Sequence, residues 1–344
     1  MKVVATTSQL GDLVREIGGD AVDVHQVLQP NTDPHEYEPR PSDVTATAGA
    51  KVVFASGLGL DEWVDDVAKQ AGGDAPVVTV GETVPTKLAG DEEEGHDHEA
   101  AGGDHPADGG HAAPGTDAAE PSDDAAEPSD DAAEPSDDAA GTAEAAATPG
   151  ELAHEHEGGV DPHWWHDPTN VEHAVGVIRD AIAKADPGAA AAVRTSAAAY
   201  LARVEALDSG IAACIATVPK AERKLVTSHD AFNYFAHRYG LTVVGAAIPS
   251  QTTQAQPSAG QVAALTKLIE TEKVKAIFPE SSVNPKLARA IAKETGASSN
   301  LALYGDTLGA KGTDGATYLG MERHNADAVV RGFTGGREGC SLTG

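Results

Sequence analysis

The sequence predicts an α/β protein with two lobes, each a parallel sheet flanked by helices, and a long rigid helix that joins them. Three observations lead to this fold class. Apolar strand patterns alternate with helical patterns over residues 1–90, the same alternation returns after residue 217, and an Ala-rich stretch with few helix breakers lies between. Strands that alternate with helices favour parallel sheets covered by those helices.

The first 90 residues contain four strand patterns and three helical patterns. Residues 8–17 place Leu, Val and Ile at helical spacing and end at two glycines, which is typical of a helix and its C-cap. Ser42 is a candidate cap for a short helix. We predict strands over 3–6, 22–28, 51–55 and 77–80, and helices over 8–17, 42–48 and 61–70.

The middle of the chain, residues 91–159, differs in composition from the rest. It holds 22 of the 54 acidic residues, has no Lys or Arg, and carries three tandem copies of AAEPSDD. A proline in each copy and the absence of apolar heptad positions exclude a coiled coil. We therefore predict a disordered, acidic insertion. Its histidines suggest weak metal binding, with a solvated tether as the alternative: His96, His98, His105, His111, His154 and His156.

The second half repeats the pattern of the first. A helix is predicted over 171–185, and the Ala-rich helix over 188–216 would be about 45 Å long and run along both lobes. We then predict strands over 224–227, 241–247, 276–278 and 300–304, and helices over 231–239, 258–272, 284–295 and 318–332. These patterns predict two Rossmann-like lobes. The predicted domains are an N-terminal lobe (1–90 and 160–185), the insertion (91–159), a linking helix (186–216) and a C-terminal lobe (217–344).

Charge and cysteine content limit the partners and the compartment. The formal net charge is −30, and an acidic surface gains nothing from counterion release, which excludes nucleic acid and anionic membranes as partners. No run of 18 apolar residues could span a membrane. A disulfide between Cys214 and Cys340 is plausible in an exported protein, with two unrelated thiols as the alternative. Since no leader precedes residue 1, the protein is either cytoplasmic or exported and numbered without its leader.

Four side chains are candidate metal ligands: His35, His163, His229 and Asp306. Three of them follow predicted strands, and open parallel sheets bind ligands at the carboxyl ends of their strands. The fourth, His163, lies in DPHWWHDP, where two prolines fix the backbone and two tryptophans can exclude water; His166 is the rival ligand in this motif. Three imidazoles and a carboxylate suit a tetrahedral Zn²⁺ site in the cleft between the lobes. Mn²⁺ prefers more oxygen ligands, whereas Cu²⁺ is not excluded by ligand type.

Six pieces of the sequence, in this order, resemble the zinc and manganese substrate-binding proteins of ABC transporters, the cluster A-I solute-binding proteins. The pieces are VVATTSQLGDLVREIGGD, LQPNTDPHEYEPRPSDV, DPHWWHDPTNV, KLVTSHDAFNYFAHRYGL, IFPESSVNP and LYGDTLG. The resemblance covers nearly the whole chain outside the insertion. It implies that the four candidates hold the metal and that Glu280 is a salt-bridge partner in the cleft. A histidine at position 229 and the WWHDP sequence resemble the zinc-binding members, including those of Azt-type transporters.

The resemblance also implies a function. It predicts a non-enzymatic, extracytoplasmic protein, in the periplasm or on the cell surface, free or lipid-anchored, that captures Zn²⁺ and delivers it to an ABC permease. Zn²⁺ is then the transported ligand, the protein is a monomer, and a periplasmic metallochaperone is a further candidate partner. The alternatives are a manganese-binding member, an adhesin or metal buffer, and a zinc-dependent hydrolase. The hydrolase would need an open coordination position, and the sequence has no HExxH motif.

Overall fold

The first sheet consists of four parallel strands in the order β2-β1-β3-β4. The computed structural model describes residues 1–90 and 159–342, so all but the last residue of the predicted insertion (91–159), including its histidines, lies outside the described residues. The strands are β1 (Lys2–Ala5), β2 (Asp23–Gln26), β3 (Val52–Ala55) and β4 (Val77–Thr79), and the helices are α1 (Ser8–Gly18), α2 (Pro41–Ala48) and α3 (Trp63–Ala71). All four residues of β3 are buried, as expected of a parallel strand covered on both faces.

The start of α2 differs from the prediction. Pro41, and not Ser42, is its first residue. Proline suits this position because its ring presets a helical φ and the N–H that it lacks has no partner within the helix. The carboxylate of Asp43 accepts a hydrogen bond from the Arg40 backbone N–H at 2.8 Å and completes the cap.

The second sheet is built on two parallel strands, β5 (Lys224–Thr227) and β6 (Thr242–Ala246). Its helices are α6 (Asn233–Tyr239), α7 (Ala259–Glu272), α8 (Lys286–Thr295) and α9 (Tyr318–Thr334). The predicted strands over 276–278 and 300–304 appear only as isolated parallel bridges. Pro279 has no N–H to continue a ladder. The side-chain amide of Asn325 occupies both backbone polar groups of Tyr304, at 2.9 and 2.8 Å.

Two helices connect the sheets, α4 (Pro168–Ala185) and α5 (Ala190–Ala216). The 27 residues of α5 span about 40 Å at 1.5 Å per residue. This helix packs against α1, α4, α6 and α9. One apolar core contains Phe54 of the first sheet as well as Phe278 and Phe333 beside the second. Within the described ranges, no helix is both long and apolar enough to cross a membrane.

The two cysteines form a disulfide between Cys214, near the end of α5, and Cys340, after α9. It joins positions that are 126 residues apart in the chain. The backbone N–H of Cys340 also donates to Asp327 at 2.8 Å. The end of the linking helix and the C-terminal segment are thereby tied together.

Candidate metal centre

The structure brings the four predicted site residues into one cluster: His35, His163, His229 and Asp306. One ligand-type atom from each lies within 4.8 Å of those of the others. The three imidazole ring centroids are 5.3 to 5.7 Å apart. The cluster is buried, since three of the residues are inaccessible and the His35 side chain is 9 % exposed. Side chains from four separate chain segments therefore converge on one point.

His35 is presented by the loop that follows β2. Its backbone N–H donates to the carboxylate of Asp33 at 2.9 Å, a local turn contact that shapes the loop. The same loop is anchored by Thr253 and Gln254, which lie in the segment that follows β6. Thr253 donates to Asp33, and Gln254 donates to the His35 carbonyl. His35 is thus held by groups from both halves of the chain.

His163 lies just before a 3₁₀ turn, Trp164–His166. Its Nδ1 atom is 2.8 Å from the carboxylate of Asp161, and its Nε2 atom is 3.3 Å from Asp306. The Trp165 ring meets the His163 ring edge to face, with centroids 5.5 Å apart. The Trp164 indole N–H donates to Ser56 at the end of β3. Both tryptophans are buried, and Trp165, which contacts the imidazole, helps to shield it from water.

His229 comes two residues after β5. Its Nδ1 atom lies 2.8 Å from Glu280, and its Nε2 atom lies 3.3 Å from Asp306. Glu280 also accepts from the backbone N–H groups of Ser228 and His229, at 3.0 and 2.9 Å. Glu280 is therefore an ion-pair partner of a cluster histidine and is not itself a member of the cluster, in line with its expected role.

Burial and mutual charge interactions shift the pKa values of the cluster in opposite directions. Burial alone would raise the pKa of Asp306, but the imidazoles of His229 and His163 hold it well below its usual range. Burial works against the protonated form of His163, yet the carboxylates of Asp161 and Asp306 outweigh it and raise the pKa to about 9. Asp306 and Glu280 raise the pKa of His229 against the same effect. Burial lowers the pKa of His35 to about 4.

The rival ligand, His166, lies outside the cluster. Its ring stacks on Phe232 with centroids 4.4 Å apart, and its Nδ1 atom is 2.8 Å from Glu322 of α9. The cap of α4 is Asp167, which accepts from the Thr169 N–H at 2.9 Å. His173 and His237 are exposed on helices, while His324 is half-buried beside the Ala302 carbonyl.

Sequence reasoning missed two residues that hold the cluster in place. One is Asp161, the partner of His163; its position two residues before the histidine, in DPH, was an available signal. The other is Gln9, whose side-chain amide donates to the backbone carbonyl of Asp306 at 2.8 Å. Nothing in the local sequence indicates this contact, because it joins residues 297 positions apart.

The two sheets, the linking helix and the buried cluster define a two-lobed α/β binding protein. The fold matches the periplasmic zinc-binding protein TroA of Treponema pallidum, with a TM-score of 0.71 at 24 % identity over 96 % of this chain and 98 % of that one. This likeness confirms the predicted fold class. The predicted domain boundaries remain predictions.

Sequence comparisons identify the family. The profile of the family described as "ZnuA: Zinc-uptake complex component A periplasmic" matches residues 3–332. Similar proteins include the manganese-binding lipoprotein MntA of Bacillus subtilis, 29 % identical over 96 % of this chain and 89 % of the relative. The iron-binding protein YfeA of Yersinia pestis is 25 % identical over 96 % of this chain and 86 % of the relative. The chain belongs to the ZnuA family, a family of solute-binding proteins of metal ABC transporters and not of enzymes.

Proposed function

We propose that this chain captures Zn²⁺ at the four-residue cluster and delivers it to an ABC permease. One observation carries the proposal. The Nε2 atoms of the three histidines and both carboxylate oxygens of Asp306 are buried and make no hydrogen bond within the described residues. Buried polar atoms without partners are costly. Five of them that face one another are explained by a cation that binds among them.

The spacing and type of these atoms support zinc. Zn²⁺ binds nitrogen and carboxylate oxygen at about 2.0–2.2 Å in a tetrahedron, whose edges are then about 3.3 Å. The Nε2 atoms of His163 and His229 each lie 3.3 Å from Oδ1 of Asp306, whereas that of His35 lies 4.0 Å from the other oxygen, Oδ2. Three imidazoles and one carboxylate form a nitrogen-rich set, which suits zinc better than the oxygen-preferring Mn²⁺.

Manganese is the second candidate because of the relatives. The family profile is named for zinc uptake, whereas MntA of Halalkalibacterium halodurans, 27 % identical over 97 % of this chain and 89 % of the relative, is named for manganese. The iron-binding relative YfeA is somewhat less similar, at 25 % identity. The names therefore divide among three metals, and we base the choice of zinc on the donor set of this chain.

Metal competition tests the proposal. The purified protein, stripped with a chelator, is offered Zn²⁺ and Mn²⁺ together and its bound metal is quantified after desalting. We expect one tightly held Zn²⁺, its loss in His229→Ala, and its retention in the control His237→Ala, which changes an exposed histidine. Preference for manganese in the wild type would overturn the choice of metal. Retention of tight zinc in His229→Ala would overturn the ligand set.

The proposal includes an extracytoplasmic location, free or lipid-anchored, and a monomeric state. The disulfide between Cys214 and Cys340 supports the location, because such bonds persist in oxidising compartments. The test is to fractionate the native cells and probe the protein with a thiol reagent. We expect it outside the cytoplasm with both cysteines unreactive. Recovery in the cytoplasm with reactive thiols would contradict the delivery function. A metallochaperone partner remains a prediction.

A further inference from the structure

Residues 305–308, the segment that carries Asp306, are held by groups distant in the chain. The carbonyl of Gly305 accepts from the Trp165 indole at 3.1 Å, and the hydroxyl of Thr307 accepts from the Asn31 N–H at 3.0 Å. The other two contacts come from the first turn of α1. Every residue of this segment is thus hydrogen-bonded to groups outside the second sheet.

The two contacts from α1 are joined to each other by a third hydrogen bond, between Ser8 and Gln9. The Gln9 amide donates to the Asp306 carbonyl at 2.8 Å, and the Leu308 N–H donates to the Ser8 hydroxyl at 2.9 Å. The Ser8 hydroxyl in turn donates to the Gln9 side-chain oxygen at 3.1 Å, which fixes the orientation of the Gln9 amide. Both side chains are 1 % exposed, so water cannot replace these bonds.

We propose that Gln9 is a positioning residue for the metal ligand Asp306, acting through the backbone of residues 305–308. The inference rests on the proposed function, because it assumes that Asp306 binds the metal. The Asp306 carboxylate must meet three imidazoles that other segments hold in place. A small shift of its backbone would lengthen the metal–oxygen bond, and Gln9 is the side chain that binds the backbone carbonyl of Asp306 itself.

The test is the variant Gln9→Met, which keeps the length and approximate volume of the side chain but removes the amide. We expect about a tenfold loss of Zn²⁺ affinity, the lower end of the effect seen for outer-shell partners of metal ligands. The matched control is Gln29→Met, at an exposed position in the loop before His35. The unfolding of each metal-free variant is measured alongside.

A double-mutant cycle separates positioning from a structural effect. If Gln9 acts through Asp306, Gln9→Met changes Zn²⁺ affinity little in an Asp306→Ala background but keeps its tenfold effect in a His229→Ala background. Equal effects in both backgrounds, or no effect in the wild type, would overturn the proposal while leaving the zinc function intact. Unchanged affinity in Asp306→Ala alone would instead remove Asp306 from the ligand set. Should Gln9→Met fail to fold, Ser8→Ala, which frees the Gln9 amide, is tested in the same cycle.

Discussion

A single carboxylate oxygen of Asp161 lies 2.8 Å from Nδ1 of His163 and 2.9 Å from the backbone N–H of the same residue. The second oxygen accepts from the Asn233 side chain at 3.2 Å. An ionised carboxylate accepts only, so it favours the imidazole form with a proton on Nδ1. When the ring loses its other proton, the Nε2 lone pair is directed at the cluster, where a metal would bind.

Asp161→Asn should therefore weaken zinc binding. The amide can turn its NH₂ group toward Nδ1 and favour the wrong tautomer, and it removes the negative charge behind the ligand. We expect a loss of about 10- to 100-fold in Zn²⁺ affinity, measured by competition with a chromophoric chelator. Asp66→Asn is the control, because the Asp66 side chain is 74 % exposed. An unchanged affinity in Asp161→Asn would show that the contact with His163 has no part in binding.

Gly305→Ala tests the space next to the pair formed by Glu280 and His229. A Cβ atom at Gly305 would lie 2.4 Å from Oε2 of Glu280, the oxygen that faces His229. The carboxylate would have to move, so we expect about a tenfold loss of Zn²⁺ affinity. Gly49→Ala is the control, since its Cβ would meet nothing closer than 3.7 Å. Equal affinity in the two variants would contradict the role of Glu280 in holding His229.

Zinc binding should release protons near neutral pH. The pKa of His163 is raised to about 9 and that of His229 is raised well above its usual value, so the protonated forms of both are favoured in the free protein near neutral pH. His35, with a pKa of about 4, is neutral, and the lowered pKa of Asp306 keeps its carboxylate ionised. Since zinc binds only deprotonated imidazoles, up to two protons should leave per ion.

Calorimetry in buffers of different ionisation enthalpy measures this release. Zn²⁺ affinity should rise as the pH rises from 6 to 9, because protons compete less for the two histidines whose pKa values are raised, His163 and His229. The variant His163→Ala should release about one proton fewer than the wild type. Release near zero at pH 7.5 would contradict the protonated state assigned to His163 and His229.

The fold followed from sequence where local patterns were strong. The alternation of strands and helices predicted both parallel sheets, and the Ala-rich stretch predicted α5 to within two residues of its start. The strands predicted over 276–278 and 300–304 are formed only in part, as isolated parallel bridges, because their pairing depends on non-local features. The Asn325 side chain comes from α9 and replaces a strand partner for Tyr304, which no pattern around residue 304 could indicate.

The site was predictable as a set of residues but not as a geometry. The four candidates were found because each follows a strand or lies in a proline-bounded motif, and they do converge. Their supporting partners, Asp161 and Gln9, were missed. Gln9 in particular looks like an ordinary residue in the first turn of a helix. Its role depends on a contact between the two ends of the chain, and that contact exists only after the lobes have packed together.

Removal of the disulfide should lower stability without affecting the metal site. The bond between Cys214 and Cys340 closes a loop of 126 residues, and loss of such a bond costs about 2–5 kcal/mol. We expect a drop of this size in the free energy of unfolding for the double variant Cys214→Ser/Cys340→Ser, measured with denaturant. Neither cysteine belongs to the cluster, so Zn²⁺ affinity should stay unchanged. A tenfold loss of affinity would show that the C-terminal segment supports the site.

Replacement of His166 distinguishes the rival ligand from a structural residue. Its imidazole pairs with the buried carboxylate of Glu322 at 2.8 Å, and burial raises the pKa of that carboxyl group. In His166→Leu the carboxylate loses its partner, and breaking a buried pair in this way costs about 3–5 kcal/mol. The same substitution removes nothing from the cluster. We therefore expect a less stable protein that still binds one Zn²⁺.

The double variant His166→Leu/Glu322→Gln separates the two roles further. Replacing the unpaired carboxylate with a neutral amide should restore part of the lost stability, because an uncharged group is less costly to bury. Zinc stoichiometry should stay at one in both variants. If zinc is lost in both while stability recovers in the double variant, then His166 is a ligand and the set of four is incomplete. If stability does not change in His166→Leu, the pair with Glu322 contributes nothing to the fold.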